Sequence, residues 1–293
     1  MYYIIYGFFY LISLLPWFVL HRIADGLTVI VFYVVKYRKD VVISNLAIAF
    51  PEKTQKERNK IAFEFYRLFM DTLVETIKIL SLSDQQIVNR FTGDASIMNE
   101  VLSKGRSLQI HAMHNFNWEM VNLNISHQVN YPFLGVYMPM SNPSIERIIT
   151  TMRKRFGTIL LPATNFKNVF LQHADKPYIL ALVADQSPSD PIQAYWLPFF
   201  GKMTPFVKGP EKGAVTNQTA VLFGHFFPTK RGHYGFTHKL ITLNAATLPE
   251  GEITRQYVAF VEDCIRLHPA NYLWSHRRWK FEYQEGVHPT PIA

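Results

Sequence analysis

The chain has 293 residues, enough for one large domain or two modest ones with a real core. Apolar residues make up 48%, aromatics 15% and charged residues only 18%, which excludes a disordered chain, since that would be charge-rich and aromatic-poor. Thirty Lys and Arg against 22 Asp and Glu leave a formal charge of +8, and the single cysteine, Cys264, excludes an internal disulfide and a thiolate metal cluster. A basic, aromatic-rich chain invites nucleic acid, an anionic membrane, or an acidic protein or substrate.

From Tyr2 to Leu20 there is no charged side chain. A bilayer-spanning helix needs roughly 17–25 apolar residues, so this run is predicted as a membrane anchor. It lacks the positive start and small-residue cleavage site of a signal peptide, so the anchor reading is uncleaved. Leu27 to Val35 is too short to span alone and ends in Lys36-Tyr37-Arg38-Lys39. A basic cluster there favours anionic headgroups and places the rest of the chain on the cytoplasmic side of the membrane; a solvated helix end is the alternative. The division expected is an anchor with its basic flank over residues 1–40 and an α/β domain over residues 41–293.

Thr54 to Leu80 reads as an amphipathic helix, with Ile61, Phe65, Leu68, Phe69, Leu73 and Ile77 at helical spacing. Beyond residue 105, strands are predicted at Ser107–Met113, Tyr131–Tyr137, Thr158–Leu161, Tyr178–Ala184 and Ala220–Phe227. Helices are predicted at Trp118–His127, Asn142–Phe156, Asn165–His173 and Thr254–Leu267. Strand and helix in alternation argue an α/β fold with a mostly parallel central sheet flanked by helices.

The segment His111-Ala112-Met113-His114-Asn115-Phe116-Asn117-Trp118-Glu119 carries the chemistry. On one continuous helix, His114 and Glu119 would point about 140° apart. They meet if His114 ends a strand and Glu119 lies in the first turn of the next helix, with Asn117 as its N-cap. Ligands bind at the carboxyl ends of strands in such sheets. A histidine beside an orienting carboxylate, with no nucleophile of its own, is suited to deprotonating a substrate hydroxyl that attacks an activated acyl group. Two other readings stand beside it. His114 can be an ordinary hydrogen-bonded histidine, one of 11. His111, His114 and Glu119 can bind zinc, although residues three apart on a strand point to opposite faces and no helical HExxH is present.

His114-Asn115-Phe116-Asn117-Trp118-Glu119 resembles the HxxNWE signature of bacterial lipid A acyltransferases, the secondary lauroyl and myristoyl transferases, within the wider lysophospholipid and glycerophosphate acyltransferases. Asn45-Leu46 to Phe50-Pro51-Glu52 is similar to the family's NL…AFPE segment, and Tyr137-Met138-Pro139 with Asn142-Pro143 to its YRP…NP block. Ala184-Asp185-Gln186 resembles its ADQ block, Phe199-Phe200-Gly201 its FFG, and Trp274 to Lys280 its W-x-HRR-[WF]-K tail. The resemblance implies a glycerophosphate acyltransferase-like fold with an N-terminal hydrophobic anchor helix. It implies His114 as general base with Glu119 as partner, an acyl thioester donor on acyl carrier protein, and a hydroxyl on a phosphorylated glycolipid as acceptor. It implies no metal or bound cofactor. The substrate-binding set expected from it is Asn117, Trp118, Tyr137, Met138, Pro139, Arg153, Arg155, Ala184, Asp185 and Gln186.

Arg153 and Arg155 offer bidentate donors for phosphate, with a solvated basic face as the alternative. Asp185 follows an apolar run, which puts it at the end of a buried strand in the crevice of His114; a loop-capping Asp-Gln turn is the alternative. Arg277 and Arg278 suit an acidic carrier protein, acceptor phosphates or a structural role, and none is assigned. Met138 stands where the family usually has arginine, which opens the acceptor's identity, and Lys208 is a candidate replacement. Acylation of a lysophospholipid or aminolipid is the second enzymatic reading. A non-catalytic protein binding anionic lipid is the third. Nucleic acid is disfavoured, because no basic and aromatic residues recur at a recognised spacing.

Overall fold

Pro16 decides the shape of the N-terminus. In the computed structural model, which describes residues 1–292, helix α1 (Tyr2–Ser13) stops before it and α2 (Trp17–Val29) starts after it, with Pro16 at the N-cap. Proline has no N–H to continue the ladder and clashes with the preceding turn. The expected single span from Tyr2 to Leu20 is therefore corrected. The 12 residues of α1 reach about 18 Å, short of a bilayer core of about 30 Å. The helix long and apolar enough to cross a membrane is Trp17–Val35, 19 residues with mean hydropathy 1.7, formed by α2 and a π-helical continuation over Ile30–Val35. Left-handed backbone at Lys36 and Arg38 then turns the chain into α3 (Lys39–Ala49).

Helix α4 (Gln55–Ile79) begins with a capping box between Thr54 and Glu57, as its sequence periodicity predicts to within a residue. Leu20 and Ala24 of α2 are fully buried against Met70 and Val74 of α4. The opposite face of the anchor stays apolar and exposed, at Phe8, Leu11, Phe18, Tyr33 and Val34 among others. Short elements follow: α5 (Asp84–Val88), β1 (Phe91–Thr92) and α6 (Ser96–Ser103).

The core of the domain alternates strand and helix: β2 (Leu108–Ala112), α7 (Trp118–Gln128), β3 (Phe133–Tyr137), α8 (Pro143–Arg153), β4 (Ile159–Pro162), α9 (Phe166–Phe170) and β5 (Ile179–Val183). A hairpin of β6 (Ala194–Phe199) and β7 (Lys202–Val207) comes next, then α10 (Gly209–Thr216), β8 (Ala220–Lys230), β9 (His233–Thr242) and α11 (Glu252–Leu267). The seven-stranded sheet has order β1-β9-β8-β2-β5-β3-β4. All its pairs are parallel except β8 with β9. The fold is thus α/β with a mostly parallel central sheet, flanking helices and an N-terminal apolar helix, as expected.

All five predicted strands are present, while β9 and the β6–β7 hairpin extend beyond them. The Phe199-Phe200-Gly201 block turns out to be the hairpin turn: Phe199 pairs with Lys202, and Phe200 and Gly201 both have positive φ. Such a two-residue turn matches the twist of the strands it joins. Trp279 of the C-terminal tail stacks on Phe199 at 5.4 Å, so the tail closes over the hairpin and packs into the main core with Trp274.

Candidate active site

Sheet register builds the site. Ala112 of β2 pairs with Val183 of β5, and Ala184 N–H still donates to the Ala112 carbonyl at 3.2 Å. His114 and Asp185, each two residues beyond its strand, therefore emerge side by side at the carboxyl edge of the sheet. The His114 backbone N–H donates to Asp185 Oδ2 at 3.2 Å, and His114 Nδ1 lies 2.6 Å from Asp185 Oδ1. The Asp185 side chain is 2% exposed and that of His114 25%. Burial alone would raise the Asp185 carboxyl; the facing imidazole and the hydrogen bonds from His114 outweigh it and hold the carboxyl below its ordinary value. An anionic Asp185 fixes the proton on Nδ1 and leaves the Nε2 lone pair for chemistry. The Gln186 side-chain amide sits on that lone pair, Nε2 to Nε2, at 3.2 Å.

Glu119 does occupy the first turn of α7, and Asn117 is its N-cap, accepting from Met120 N–H. The carboxylate on the imidazole, however, is Asp185 rather than Glu119. Glu119 is held by the Arg153 guanidinium, with Nη2 donating to Oε1 at 2.6 Å and Nε to Oε2 at 2.9 Å. Trp118 Nε1 also donates to it, at 3.0 Å. The Arg153 guanidinium thus already has a carboxylate on it, and burial, which would lower its pKa, is outweighed by Glu119, so the pKa rises. Arg155 donates to the Ile79 and Leu82 carbonyls and pairs with Asp84 at 2.6 Å. These contacts tie the end of α8 to the end of α4.

Tyr137, at the end of β3, donates its hydroxyl to Glu146 at 2.9 Å, and Met140 N–H donates to the same carboxylate. This pins Tyr137-Met138-Pro139 to α8 and leaves Met138 68% exposed. Strands β2, β5 and β3 are neighbours, so His114, the Ala184-Asp185-Gln186 block and the Tyr137 block share one crevice edge. Lys208 lies over the Tyr195 ring at 4.5 Å, on the start of α10.

Three supporting residues escape sequence reasoning. Asn271 receives the Phe116 N–H at 3.0 Å, accepts from Asn115 on its own carbonyl, and donates to the Phe226 carbonyl at 2.8 Å, fixing the turn between His114 and Glu119. His276 accepts the Ser187 N–H at 3.0 Å, which locks the tail beside Gln186. Glu75, fully buried on α4, is bound by Asn117 at 3.3 Å, His21 at 3.1 Å and Tyr234. In sequence, His276 is marked only as part of the Trp274–Lys280 block, Asn271 only by its Pro269-Ala270-Asn271 turn, and Glu75 not at all.

The profile of the bacterial lipid A biosynthesis acyltransferase family matches residues 1–281. A lipid A biosynthesis lauroyltransferase of Escherichia coli (strain K12) is 27% identical, over 96% of this chain and 91% of its own length. A lipid A biosynthesis acyltransferase of Haemophilus influenzae (strain ATCC 51907 / DSM 11121 / KW20 / Rd) is 23% identical over 92% and 84%. A palmitoleoyltransferase of E. coli K12 is 23% identical over 84% and 79%. With the match running from the anchor through the tail, the chain is an acyltransferase belonging to the bacterial lipid A biosynthesis acyltransferase family.

Proposed function

We propose that the protein transfers a fatty acyl chain from a thioester on acyl carrier protein to a hydroxyl of a phosphorylated lipid A precursor, at the cytoplasmic face of the inner membrane. The observation that carries this reading is the His114–Asp185 pair, with Nδ1 bound at 2.6 Å and Nε2 facing the Gln186 side-chain amide at 3.2 Å. The acceptor hydroxyl takes the place of the Gln186 amide on Nε2 and gives up its proton there as its oxygen attacks the thioester carbonyl. The C–S bond then breaks, the carrier's thiolate leaves with the proton held by His114, and an ester remains. Asp185 stabilises the transient imidazolium, while Glu119 and Arg153 hold the wall formed by α7 and α8.

The test is acyl transfer by the purified full chain in detergent. His114→Ala is expected to lower kcat by at least about 10³-fold without altering the circular dichroism spectrum. Unchanged turnover in that variant would refute the mechanism. One observation favours a second acceptor class: the exposed Met138 offers no charge where the resemblance expects arginine. Acylation of a lysophospholipid or aminolipid in preference to the lipid A precursor would establish it.

A further inference from the structure

A second concave site lies between α3 and the C-terminal tail. It is a cavity of about 320 Å³ whose walls include Asp40, Ser44, Asn45, Arg277, Trp279 and Lys280. Arg277 and Lys280 are both exposed, and neither has a carboxylate partner among the described residues. Cations of this kind ordinarily point into solvent from a mobile backbone. Here the backbone is fixed. Asn45 Nδ2 donates to the carbonyls of Trp274 at 2.8 Å and His276 at 2.7 Å, and Arg38 donates to the Ser275 carbonyl between them at 3.1 Å. Ser187 holds the next two carbonyls, Arg277 and Arg278, through its hydroxyl.

The two arginines of the tail therefore separate. Arg278 is fully buried, donating to the Pro205 carbonyl at 2.9 Å and lying 4.1 Å from the Phe206 ring centroid. It is part of the core. Arg277 is turned the other way, into the cavity. The cavity also has a defined height. Helix α3 begins four residues after the exposed apolar helix ends at Val35, whose neighbours Val34 and Tyr33 are exposed as well. A lipid whose tails lie along that apolar surface presents its headgroup at this level. The same tail touches the catalytic edge, since Ser187, whose N–H donates to His276, directly follows Gln186.

We propose that this cavity seats the phosphate of a lipid headgroup, with Arg277 and Lys280 as its ligands and Asp40 and Ser44 facing the headgroup's hydroxyls. The phosphate's identity as the acceptor's own rests on the acyltransferase reading above; a phosphate of bulk anionic lipid would bind by the same chemistry. Paired guanidinium and ammonium donors suit a phosphate oxyanion, and a single carboxylate in the lining suits sugar hydroxyls.

The test is the double variant Arg277→Ala with Lys280→Ala, both at exposed positions, made in the full chain. With an acceptor carrying its phosphate, KM is expected to rise on the order of tenfold while kcat stays within twofold, the loss of about one charge-assisted contact. With the same acceptor after phosphatase treatment, wild type and variant are expected to coincide. In parallel, flotation with vesicles of phosphatidic acid in phosphatidylcholine reads the bulk-lipid source: loss of flotation with unchanged KM supports the site with that ligand. The flotation arm needs no turnover, so it stands if wild type proves inactive on every acceptor. Unchanged KM and unchanged flotation together would overturn the proposal, as would a rise confined to the KM for acyl carrier protein.

Discussion

Asp185 is a fully buried carboxylate whose charge is kept by a neighbour rather than by water. That makes it separable from Glu119 by experiment. Asp185→Asn keeps the shape but removes the charge that fixes the His114 tautomer, and is expected to lower kcat about 10³–10⁴-fold with KM nearly unchanged. Glu119→Gln leaves the imidazole's partner in place and weakens the ion pair with Arg153 instead. Its expected signature is a stability loss of about 1–3 kcal/mol in urea unfolding, with a smaller effect on kcat. If Glu119→Gln costs more turnover than Asp185→Asn, the general-base pair is Glu119 with His114 after all. The Asp185 pKa also gives a sign. Because the native value is lowered from 3.8, its contribution to stability is complete above that pH and is lost as pH falls further through the native value. Wild type and Asp185→Asn should therefore converge in stability at strongly acid pH.

The N-terminal helices are more than a tether. One stripe of α2, Leu20, Ala24, Thr28 and then Phe32, is buried, and polar contacts bind the same helix to the domain. Arg231 bridges Asp25 of α2 at 2.7 Å and Asp71 of α4 at 2.6 Å, while His21 reaches Glu75, which in turn holds the Asn117 N-cap of the catalytic turn. Lys78 of α4 caps the end of α1 by donating to the Ser13 and Leu15 carbonyls. Deleting residues 1–35 would uncover Met70 and Val74 and strip partners from Arg231, Glu75 and Lys78. The truncated chain is accordingly expected to aggregate in detergent-free buffer rather than yield a soluble enzyme, as size-exclusion chromatography would show. Leu20→Ala is the finer version, with an expected loss of about 2–5 kcal/mol in unfolding free energy. A monodisperse, active truncation would show that the anchor packs without supporting the site. The apolar character of this region was legible from composition, but its division into two helices and its docking were not. Periodicity over Tyr2–Leu20 is masked by apolar residues on every side, so only Pro16 marked the break.

At the scale of the whole molecule, legibility followed burial. Strands β2, β3, β4, β5 and β8 read as short apolar runs, whereas β9 is buried only over Tyr234–Phe236, is interrupted by Thr237, His238 and Lys239, and carries no such mark. His114 was legible because its motif is local; its partner Asp185 stands 71 residues away and is brought to it only by the pairing of β2 with β5. The same burial that hid these contacts sets the acid limit of the fold. His111 and His225, within or beside the central strands, and His276 of the tail are each pushed down to about 4, chiefly by burial. All three are neutral in the native state near neutral pH, while in the unfolded chain they take up protons from about 6.5 downward. Between these values the unfolded state binds more protons, so stability must fall as pH falls. The loss is roughly 2–3 kcal/mol each for His111 and His225, and less for the more screened His276. Urea midpoints measured from pH 7 to pH 4.5 should therefore decline steadily, well above the range where Asp185 titrates. His111→Gln should make the decline visibly shallower, since it removes one of the two larger titrations. A midpoint independent of pH across that range would mean that the three imidazoles are not held neutral by the fold.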